Sequence, residues 1–284
     1  MTLYILNMND RNDIILTTTK DLKLIEEKSK SKDRMERFFI AGNKNCPKHI
    51  FESFLKDNLY VKLKAISNDE FPVYLLDNLI ENSSYVIKKT IAGKENCPIH
   101  ILEKLSDDKD FKIRLEVCYN DNCSVNILEK LSNDVSTTVK RAVSYNHNVT
   151  ISIIEKLAKD KYYNVREAVA KSYKATDLIL ESLSKDKKHD VVFASVSNPN
   201  FPIHLFEKFA FHKNSEFRLL ILQKTNCPTY ILDKFSKDKN KFIKEAIAFN
   251  INSSFKSLKY LYKKDIWLRK IIKSNPNWKV KDFE

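Results

Sequence analysis

The chain has 284 residues, of which 43% are hydrophobic and 31% are charged, so it can bury a core and is not disordered by composition. Only two glycines occur, which excludes glycine-rich phosphate-binding loops, and no apolar run approaches the ~18 residues that a membrane span requires. The formal net charge is +13, and five cysteines without a C-x-x-C spacing are typical of a reducing cytosol. We therefore expect a cytoplasmic chain without a membrane segment or a secretory signal peptide.

The first 20 residues do not share the pattern of the rest of the chain. Two apolar stretches, LYIL at 3–6 and IILTTT at 14–19, flank the polar segment NDRND at 9–13. This order predicts a small β-hairpin over residues 1–20, where it would cap an open end of a repeat array.

From residue 21 onward the sequence repeats with a period of 26 residues. The lattice of Pro72, Pro98, Pro202 and Pro228 defines the period, and Ser or Thr occupies most of the intervening lattice points. A fixed period of this length indicates a repeat architecture. The predicted repeats begin at residues 21, 47, 72, 98, 124, 150, 176, 202, 228 and 254. They cover residues 21–278, and residues 279–284 form a truncated stub.

Each repeat carries two short amphipathic segments. In residues 98–123 the stretch ILEKL has apolar residues at helical spacing, and a second apolar stripe follows a polar stretch of about six residues. Pro, Ser or Thr precedes the first segment, as is common at helix starts. Two such helices cannot bury their apolar faces alone, so stacking is required. The sequence therefore predicts an all-α fold, a right-handed α-solenoid of about ten two-helix repeats.

Asparagine recurs in the turn that closes each repeat. It stands four residues before the next repeat at Asn43, Asn68, Asn120, Asn146, Asn198, Asn250 and Asn275, and two residues before it at most of the same turns. Asparagine tolerates the left-handed conformation that ends many helices, and its side chain can cap the next helix. We expect it to do in these turns what glycine usually does.

The repeats resemble a known family. The segments DKYYNVREAVAKS at 160–172 and SNPNFPIHLFEKF at 197–209 look like the leucine-rich repeat variant, a relative of the HEAT-like repeats. The resemblance implies an α-solenoid that binds a partner. It implies no substrate, because the family has no single shared activity.

A basic column runs through the repeats at the same position of the second segment. In four repeats an aspartate precedes the basic residue by six positions. In HEAT-like repeats such a pair braces the loop between two helices, so we interpret this ladder as structural, with a basic ridge for phosphates as the alternative. The four pairs are Asp108 with Arg114, Asp134 with Lys140, Asp160 with Arg166, and Asp238 with Lys244.

Three other columns are interpreted as structural or solvated. Carboxylates recur from Glu26 to Asp233, His or Tyr recurs at the third position of the first helix, and four cysteines directly precede a repeat start. Zinc needs ligand atoms about 2.0–2.1 Å from one point, and stacked repeats keep the histidines apart. The sequence predicts neither a metal nor a cofactor, and no catalytic residue is identified among the cysteines.

Positive charge is concentrated near the C-terminus. Between Lys234 and Lys281 there are fourteen Lys or Arg and three acids, a net +11 of the total +13. Cations interleaved with aromatic rings are typical of nucleic-acid binding, and they also suit an acidic protein partner. The candidate binding residues of this C-terminal patch are Lys256, Lys259, Lys263, Lys264, Trp267, Arg269, Lys270 and Lys273.

Three functions follow from these patterns. The first is a non-catalytic scaffold that binds a protein partner through an extended solenoid surface. The second is nucleic-acid binding by the C-terminal patch. The third is an enzyme, because HEAT-like solenoids include DNA glycosylases, and here Asp265, Trp267 and Arg269 lie in one short stretch. We expect the first, without a membrane partner, and the sequence gives no oligomeric state.

Overall fold

The computed structural model describes residues 11–279 of the chain. These residues form 21 α-helices and three short 3-10 helices, and they contain no β-strand. Contacts divide the chain into two compact units, residues 1–148 and 149–284. No helix in the described range is long and apolar enough to cross a membrane.

The first unit contains α1 to α11. A 3-10 turn at Lys48–Ile50 leads into α4. The helices are α1 (Arg11–Thr18), α2 (Leu22–Ser29), α3 (Arg34–Ala41), α4 (Phe51–Phe54), α5 (Leu59–Ser67), α6 (Val73–Asn82), α7 (Tyr85–Ala92), α8 (Ile99–Leu105), α9 (Phe111–Tyr119), α10 (Val125–Leu131) and α11 (Thr137–Val143).

The second unit contains α12 to α21. A 3-10 turn at Ile203–Leu205 precedes α16, and another at Ile266–Leu268 precedes α21. The helices are α12 (Ile151–Leu157), α13 (Tyr163–Lys171), α14 (Asp177–Leu183), α15 (His189–Ser197), α16 (Phe206–Ala210), α17 (Ser215–Gln223), α18 (Thr229–Phe235), α19 (Lys241–Phe249), α20 (Phe255–Lys264) and α21 (Arg269–Ser274).

The helix starts follow from short polar residues in the sequence. Ser124 accepts a hydrogen bond from the amide of Ile127 at the start of α10, and Asp110 accepts one from Lys112 at the start of α9. These caps satisfy amides that have no partner inside the helix. Where proline precedes the first helix, its fixed φ suits the helix start and its ring adds no donor.

Within each unit the helices pack in two rows. In the first unit, α3, α5, α7, α9 and α11 pack one against the next, and the preceding helix of each pair lies alongside. In the second unit, α13, α15, α17, α19 and α21 form the same kind of row. The apolar stripe of each helix, such as Ile101, Leu102 and Leu105 in α8, is buried between the rows. The all-helical, neighbour-to-neighbour packing expected of a solenoid is therefore present in each unit.

The predicted N-terminal hairpin is wrong for residues 11–18, which form α1. This helix packs on α3 and buries Leu16. Its threonines adapt to the helix because the hydroxyls of Thr17 and Thr18 donate to carbonyls of the preceding turn. The other predicted strand, at residues 3–6, lies outside the described residues.

The predicted conformation of the turn asparagines is also wrong. No residue of the described range has a positive φ, and Asn120 ends α9 with φ −77° and ψ 131°. The chain leaves the helix in an extended conformation, which any residue can adopt. The asparagines are therefore required for hydrogen bonding rather than for a left-handed turn.

Candidate functional site

The asparagine column forms a ladder of hydrogen bonds between repeats. The Nδ2 of Asn120 donates to the carbonyls of Ala92 and Lys94 in the preceding repeat, at 2.6 and 2.7 Å. Its Oδ1 accepts from the amide of Asn122 at 2.8 Å. One side chain thus bonds three backbone groups at a buried junction, where unpaired polar groups are costly. Of the three, the carbonyl of Lys94 also accepts from the amide of Cys97. The same pattern recurs in each unit, at Asn43, Asn68, Asn146, Asn198, Asn250 and Asn275.

Two lysines replace asparagine in this ladder. The Nζ of Lys94 donates to the carbonyl of Asn68, and the Nζ of Lys224 donates to the carbonyl of Asn198, each at 2.6 Å. Burial lowers the pKa of Lys94, and it lowers the pKa of Lys224 to about 8. The two repeat interfaces with lysine therefore keep a donor at this position, at the cost of a partly buried charge.

The basic column forms a second ladder, with a different partner from the expected one. The guanidinium of Arg114 donates to the carboxylate of Asp134 through Nε at 2.6 Å and Nη2 at 2.8 Å. Asp108 lies in the same repeat as Arg114, and the guanidinium donates only to its backbone carbonyl, at 2.7 Å. The carboxylate of Asp108 instead accepts from Lys88 of the preceding repeat. Each ion pair thus joins one repeat to the next rather than bracing a single loop.

The other ladder residues follow this rule where the partner is present. Arg166 pairs with Asp186 at 2.6 Å, and its Nη1 donates to the carbonyl of Asp160. Lys244 pairs with Asp265 at 2.9 Å rather than with Asp238. Lys140 is half-buried on α11. In the pairs described, the basic residue of the ladder forms its ion pair with an aspartate of the next repeat. The sequence analysis assigned it to the aspartate six residues earlier.

The ladder lacks its ion pair at the junction between α17 and α19 in the second unit. Arg218 donates to the carbonyls of His212 and Lys213, but its buried Nε has no hydrogen-bond partner. The carboxylate of Asp238, which stands where the next partner is expected, accepts from the amide of Asn240. The junction between α17 and α19 consequently lacks the ion pair found at Arg166.

The histidine and carboxylate columns contact each other on the first helices. His100 lies 3.3 Å from Asp77, His204 lies 3.3 Å from Glu181, and the hydroxyl of Tyr74 donates to Glu52. These contacts are exposed to solvent, which screens them, so they contribute little to stability. Between residues 11 and 279 no three His, Cys, Asp or Glu side chains converge as a metal site would require.

All five cysteines are free and buried. Burial raises the pKa of the thiols of Cys46, Cys97, Cys123 and Cys227 to about 12, and it raises that of Cys118 as well. At neutral pH these groups are protonated thiols, which are poor nucleophiles.

The predicted C-terminal patch is divided between helices with different roles. Lys256, Lys263 and Lys264 are exposed on α20, and Lys259 lies 5.6 Å from the ring of Phe255 on the same helix. Trp267, Lys270 and Lys273 are exposed on or beside α21.

Arg269 is engaged inside the last repeat. Its Nε donates to the carbonyl of Tyr262, and its guanidinium lies 5.0 Å from the centre of the Tyr262 ring. Trp278 stacks on Tyr262 at 4.7 Å. Of the predicted patch, Trp267 and all the lysines except the half-buried Lys259 are exposed, whereas Arg269 packs against the chain itself.

A surface that the sequence reasoning missed lies on the second helices. Large aromatic side chains lie on α5, α7, α9 and α11 or at their ends. Their exposed fractions run from 39% at Tyr85 to 66% at Tyr60. The residues are Tyr60, Tyr85, Phe111, Tyr119 and Tyr145. They were detectable as two columns, because Tyr85 and Phe111 at the helix starts are 26 residues apart, and so are Tyr119 and Tyr145 near the helix ends. We call this set the aromatic face of the first unit.

Cations stand beside several rings of this aromatic face. Arg34 lies 5.7 Å from the ring of Tyr60, and Lys112 lies 6.0 Å from that of Tyr85, so each ring meets a cation of an adjacent repeat. Such contacts contribute about 0.5–1 kcal/mol at exposed sites. The second helices thus present aromatic side chains that are held in place and still accessible.

Comparisons with known proteins show likeness in structure alone. No protein-family model matches the chain, and no curated protein matches it significantly. A solved structure described as a leucine-rich repeat variant with a novel repetitive motif is 17% identical, with a TM-score of 0.48, and covers 87% of this chain and 88% of its own. An engineered protein is 12% identical, covers 88% of this chain and 86% of its own, and has a TM-score of 0.28. The expected resemblance to the leucine-rich repeat variant is confirmed, while the fold is established by the helix pairs themselves.

Proposed function

We propose that the chain is a non-catalytic scaffold that binds another protein through its second helices. The observation that carries the proposal is the aromatic face of the first unit, where Tyr60 and Tyr119 are 66% and 60% exposed. Tyrosine and phenylalanine are enriched in protein interfaces, where they bury large areas at a small cost in side-chain entropy. Repeat proteins bind partners through such continuous surfaces.

Two observations support a role without catalysis. The five thiols are buried, and burial raises their pKa values above the ordinary value. Asp265, the carboxylate of the candidate glycosylase stretch, is engaged with Lys244 at 2.9 Å. The same free thiols support a cytoplasmic location. A right-handed stack of about ten repeats is the arrangement we propose within this function.

The proposal is tested by removing the aromatic face and retaining a matched set. The variant carries Tyr60→Ser, Tyr85→Ser and Phe111→Ser. The control carries Val73→Ser, Ile99→Ser and Val125→Ser, three exposed apolar residues on first helices of the same unit. Each tagged protein is mixed with lysate of the source cell, and retained proteins are quantified by mass spectrometry against the wild type.

A partner retained by the wild type and the control, and reduced at least about tenfold in the variant, is the expected result. Retention of the same proteins by all three would overturn the proposal. Loss in both variants would also overturn it, because the face would then have no special role. Circular dichroism confirms that the variants are folded.

Nucleic-acid binding by the C-terminal patch is the alternative, favoured by the exposed lysines on α20 and α21. It predicts non-specific binding with a Kd on the order of 10⁻⁴–10⁻⁶ M that weakens steeply with salt. Charge reversal at Lys263, Lys264, Lys270 and Lys273 removes it. The measurement is a titration of labelled DNA and RNA at low and moderate salt, and binding that survives the reversal contradicts this alternative.

A further inference from the structure

A cavity of about 360 Å³ lies between α17 and α19 in the second unit. Its rim is formed by Phe242, Phe249 and Ile251, which are 54%, 61% and 51% exposed. Leu219 contributes further apolar surface. Three large apolar side chains that remain this exposed around one concavity are typical of a binding site, and the volume lies at the lower end of the range for ligand pockets.

The cavity has few polar groups, and one of them is charged. Glu245 is the only charged residue of its lining, and Gln223 contributes an amide. Glu245 is half-buried, and its carboxylate makes neither a hydrogen bond nor an ion pair with the described residues. Lys241, one turn earlier on α19, lies instead over the ring of Phe242 at 5.0 Å. A carboxylate and aromatic rings both attract cations, and no cation of the described residues pairs with Glu245.

The repeat junction to which α17 and α19 belong departs from the junctions at Arg114 and Arg166. Arg218 on α17 has no carboxylate partner in the next repeat, and its Nε is buried without a hydrogen bond. His212 replaces the aspartate of the ladder in the same repeat, and Lys224 replaces the asparagine. The guanidinium without a carboxylate partner and the histidine set this junction apart from those at Arg114 and Arg166, and such departures are expected where a protein carries a functional site.

We propose that this cavity binds the cationic side chain of a partner peptide, an arginine flanked by apolar residues. The guanidinium pairs with the carboxylate of Glu245, and the aliphatic stem and flanking residues pack against Phe242, Phe249 and Ile251. This inference rests on the proposed protein-binding function, and it specifies which side chain of the partner enters the cavity. Because the chain has a net charge of +13, its overall field disfavours a cation. A preference for arginine therefore reports on the cavity and not on the protein as a whole.

The test uses three peptides that differ only in the central side chain: acetyl-Leu-Arg-Leu-amide, acetyl-Leu-Gln-Leu-amide and acetyl-Leu-Glu-Leu-amide. Binding to the full chain is followed by the backbone amide shifts of Gln223, Phe242 and Phe249 in ¹H–¹⁵N NMR spectra. The variant is Glu245→Gln. The matched control is Glu216→Gln, which makes the same charge change on α17 outside the cavity lining.

The arginine peptide is expected to bind about tenfold more tightly than the glutamine peptide, and the glutamate peptide most weakly. Glu245→Gln should abolish the difference between arginine and glutamine, and Glu216→Gln should keep it. Phe249→Ala should weaken all three peptides. Since Glu245 has no partner to lose, its variant should fold as the wild type does.

Equal binding of the arginine and glutamine peptides to the wild type would overturn the proposal. So would a preference that survives Glu245→Gln, or shift changes that lie outside the cavity. These outcomes are distinct from failure of the proposed function, which is read in the first unit by the aromatic-face variant. If the cavity prefers the arginine peptide while the aromatic-face variant retains the same proteins as the wild type, this inference stands and the proposed role of the aromatic face fails.

Discussion

Lys224 is a single residue whose charge opposes the fold. The structure lowers its pKa to about 8 because its ammonium group is partly buried and has no carboxylate beside it. A lysine with a folded pKa below its unfolded value destabilises the protein at every pH below the folded pKa, where it must be charged in both states. That penalty decreases as the pH rises from about 8 toward the unfolded value near 10.4.

The substitution Lys224→Asn restores the residue found elsewhere in the ladder. At pH 6.5 it should raise the free energy of unfolding on the order of 1 kcal/mol, a modest value because the ammonium remains partly solvated. The gain should shrink between pH 8 and 10. Urea unfolding at both ends of this range measures it, with Lys213→Asn, an exposed lysine of the same repeat, as the control. A gain that is independent of pH would show that the charge is not its cause.

Asn120 illustrates the opposite case, a polar residue that the interior requires. Asn120→Ala removes three hydrogen bonds at a buried repeat junction, to the carbonyls of Ala92 and Lys94 and from the amide of Asn122. The carbonyl of Lys94 keeps the amide of Cys97 as a partner. With about 1–3 kcal/mol for each unsatisfied group and partial relaxation, the expected loss is about 3 kcal/mol. Thermal unfolding should show a clear decrease in Tm. Asn126→Ala, on the exposed side of α10, should change it little.

At the scale of the helix pair, the Arg114–Asp134 ion pair connects α9 to the next repeat. Burial alone would raise the pKa of Asp134, but the guanidinium of Arg114 and the amide of Ser136 hold the pKa of that carboxyl below its ordinary value. A depressed carboxyl pKa stabilises the fold at pH values above the unfolded pKa near 3.9, and this contribution is lost as the pH falls through the folded pKa.

Arg114→Met leaves the carboxylate of Asp134, whose side chain is 6% exposed, without its partner. The expected loss at pH 7 is about 3 kcal/mol, since the buried carboxylate then has no ion-pair partner bonded to it and keeps only the amide of Ser136 as a close donor. The loss should be smaller at pH 4, where protonation removes the unpaired charge. Adding Asp134→Asn should recover more than half of it. Lys112→Met, an exposed change on the same helix, is the control for urea unfolding, and an equal loss in both would contradict the ladder.

These elements show how far the sequence determines the fold. The 26-residue period predicts the helix pairs, because the stripe of Ile101, Leu102 and Leu105 forms only one apolar face on a helix. It does not choose the partner of Arg114, since Asp108 and Asp134 both stand at ladder positions and only the stacking distance decides between them. For residues 11–18 the β-branched composition suggested a strand, and packing of Leu16 overrode it.

The candidate surfaces were harder to predict for the same reason. The C-terminal patch was visible as charge, but stacking of Tyr262 with Arg269 and Trp278 depends on how the last repeat closes. Glu245 gave no signal in the sequence, because an acidic residue on a helix is ordinarily solvated. Its significance appears only when Phe242 and Phe249 are seen around the same cavity.

At the scale of the whole molecule, stacked repeats distribute stability unevenly. Each repeat contacts only its neighbours, so opening is easiest where few repeats remain to one side. The buried thiols report this opening, because a thiol with a pKa of about 12 reacts only after exposure. Cys46 directly precedes the second predicted repeat and Cys123 directly precedes the fifth, both within the first unit.

We expect iodoacetamide to label Cys46 about tenfold or more faster than Cys123 in the native protein, and at the same rate in urea. The measurement uses single-cysteine variants and intact-mass analysis over time, with the denatured rates as the control for intrinsic reactivity. Equal native rates for the two thiols would mean that the first unit opens all at once. In that case the ladders of asparagine and of ion pairs would tie all its repeats into one cooperative body, rather than coupling only nearest neighbours.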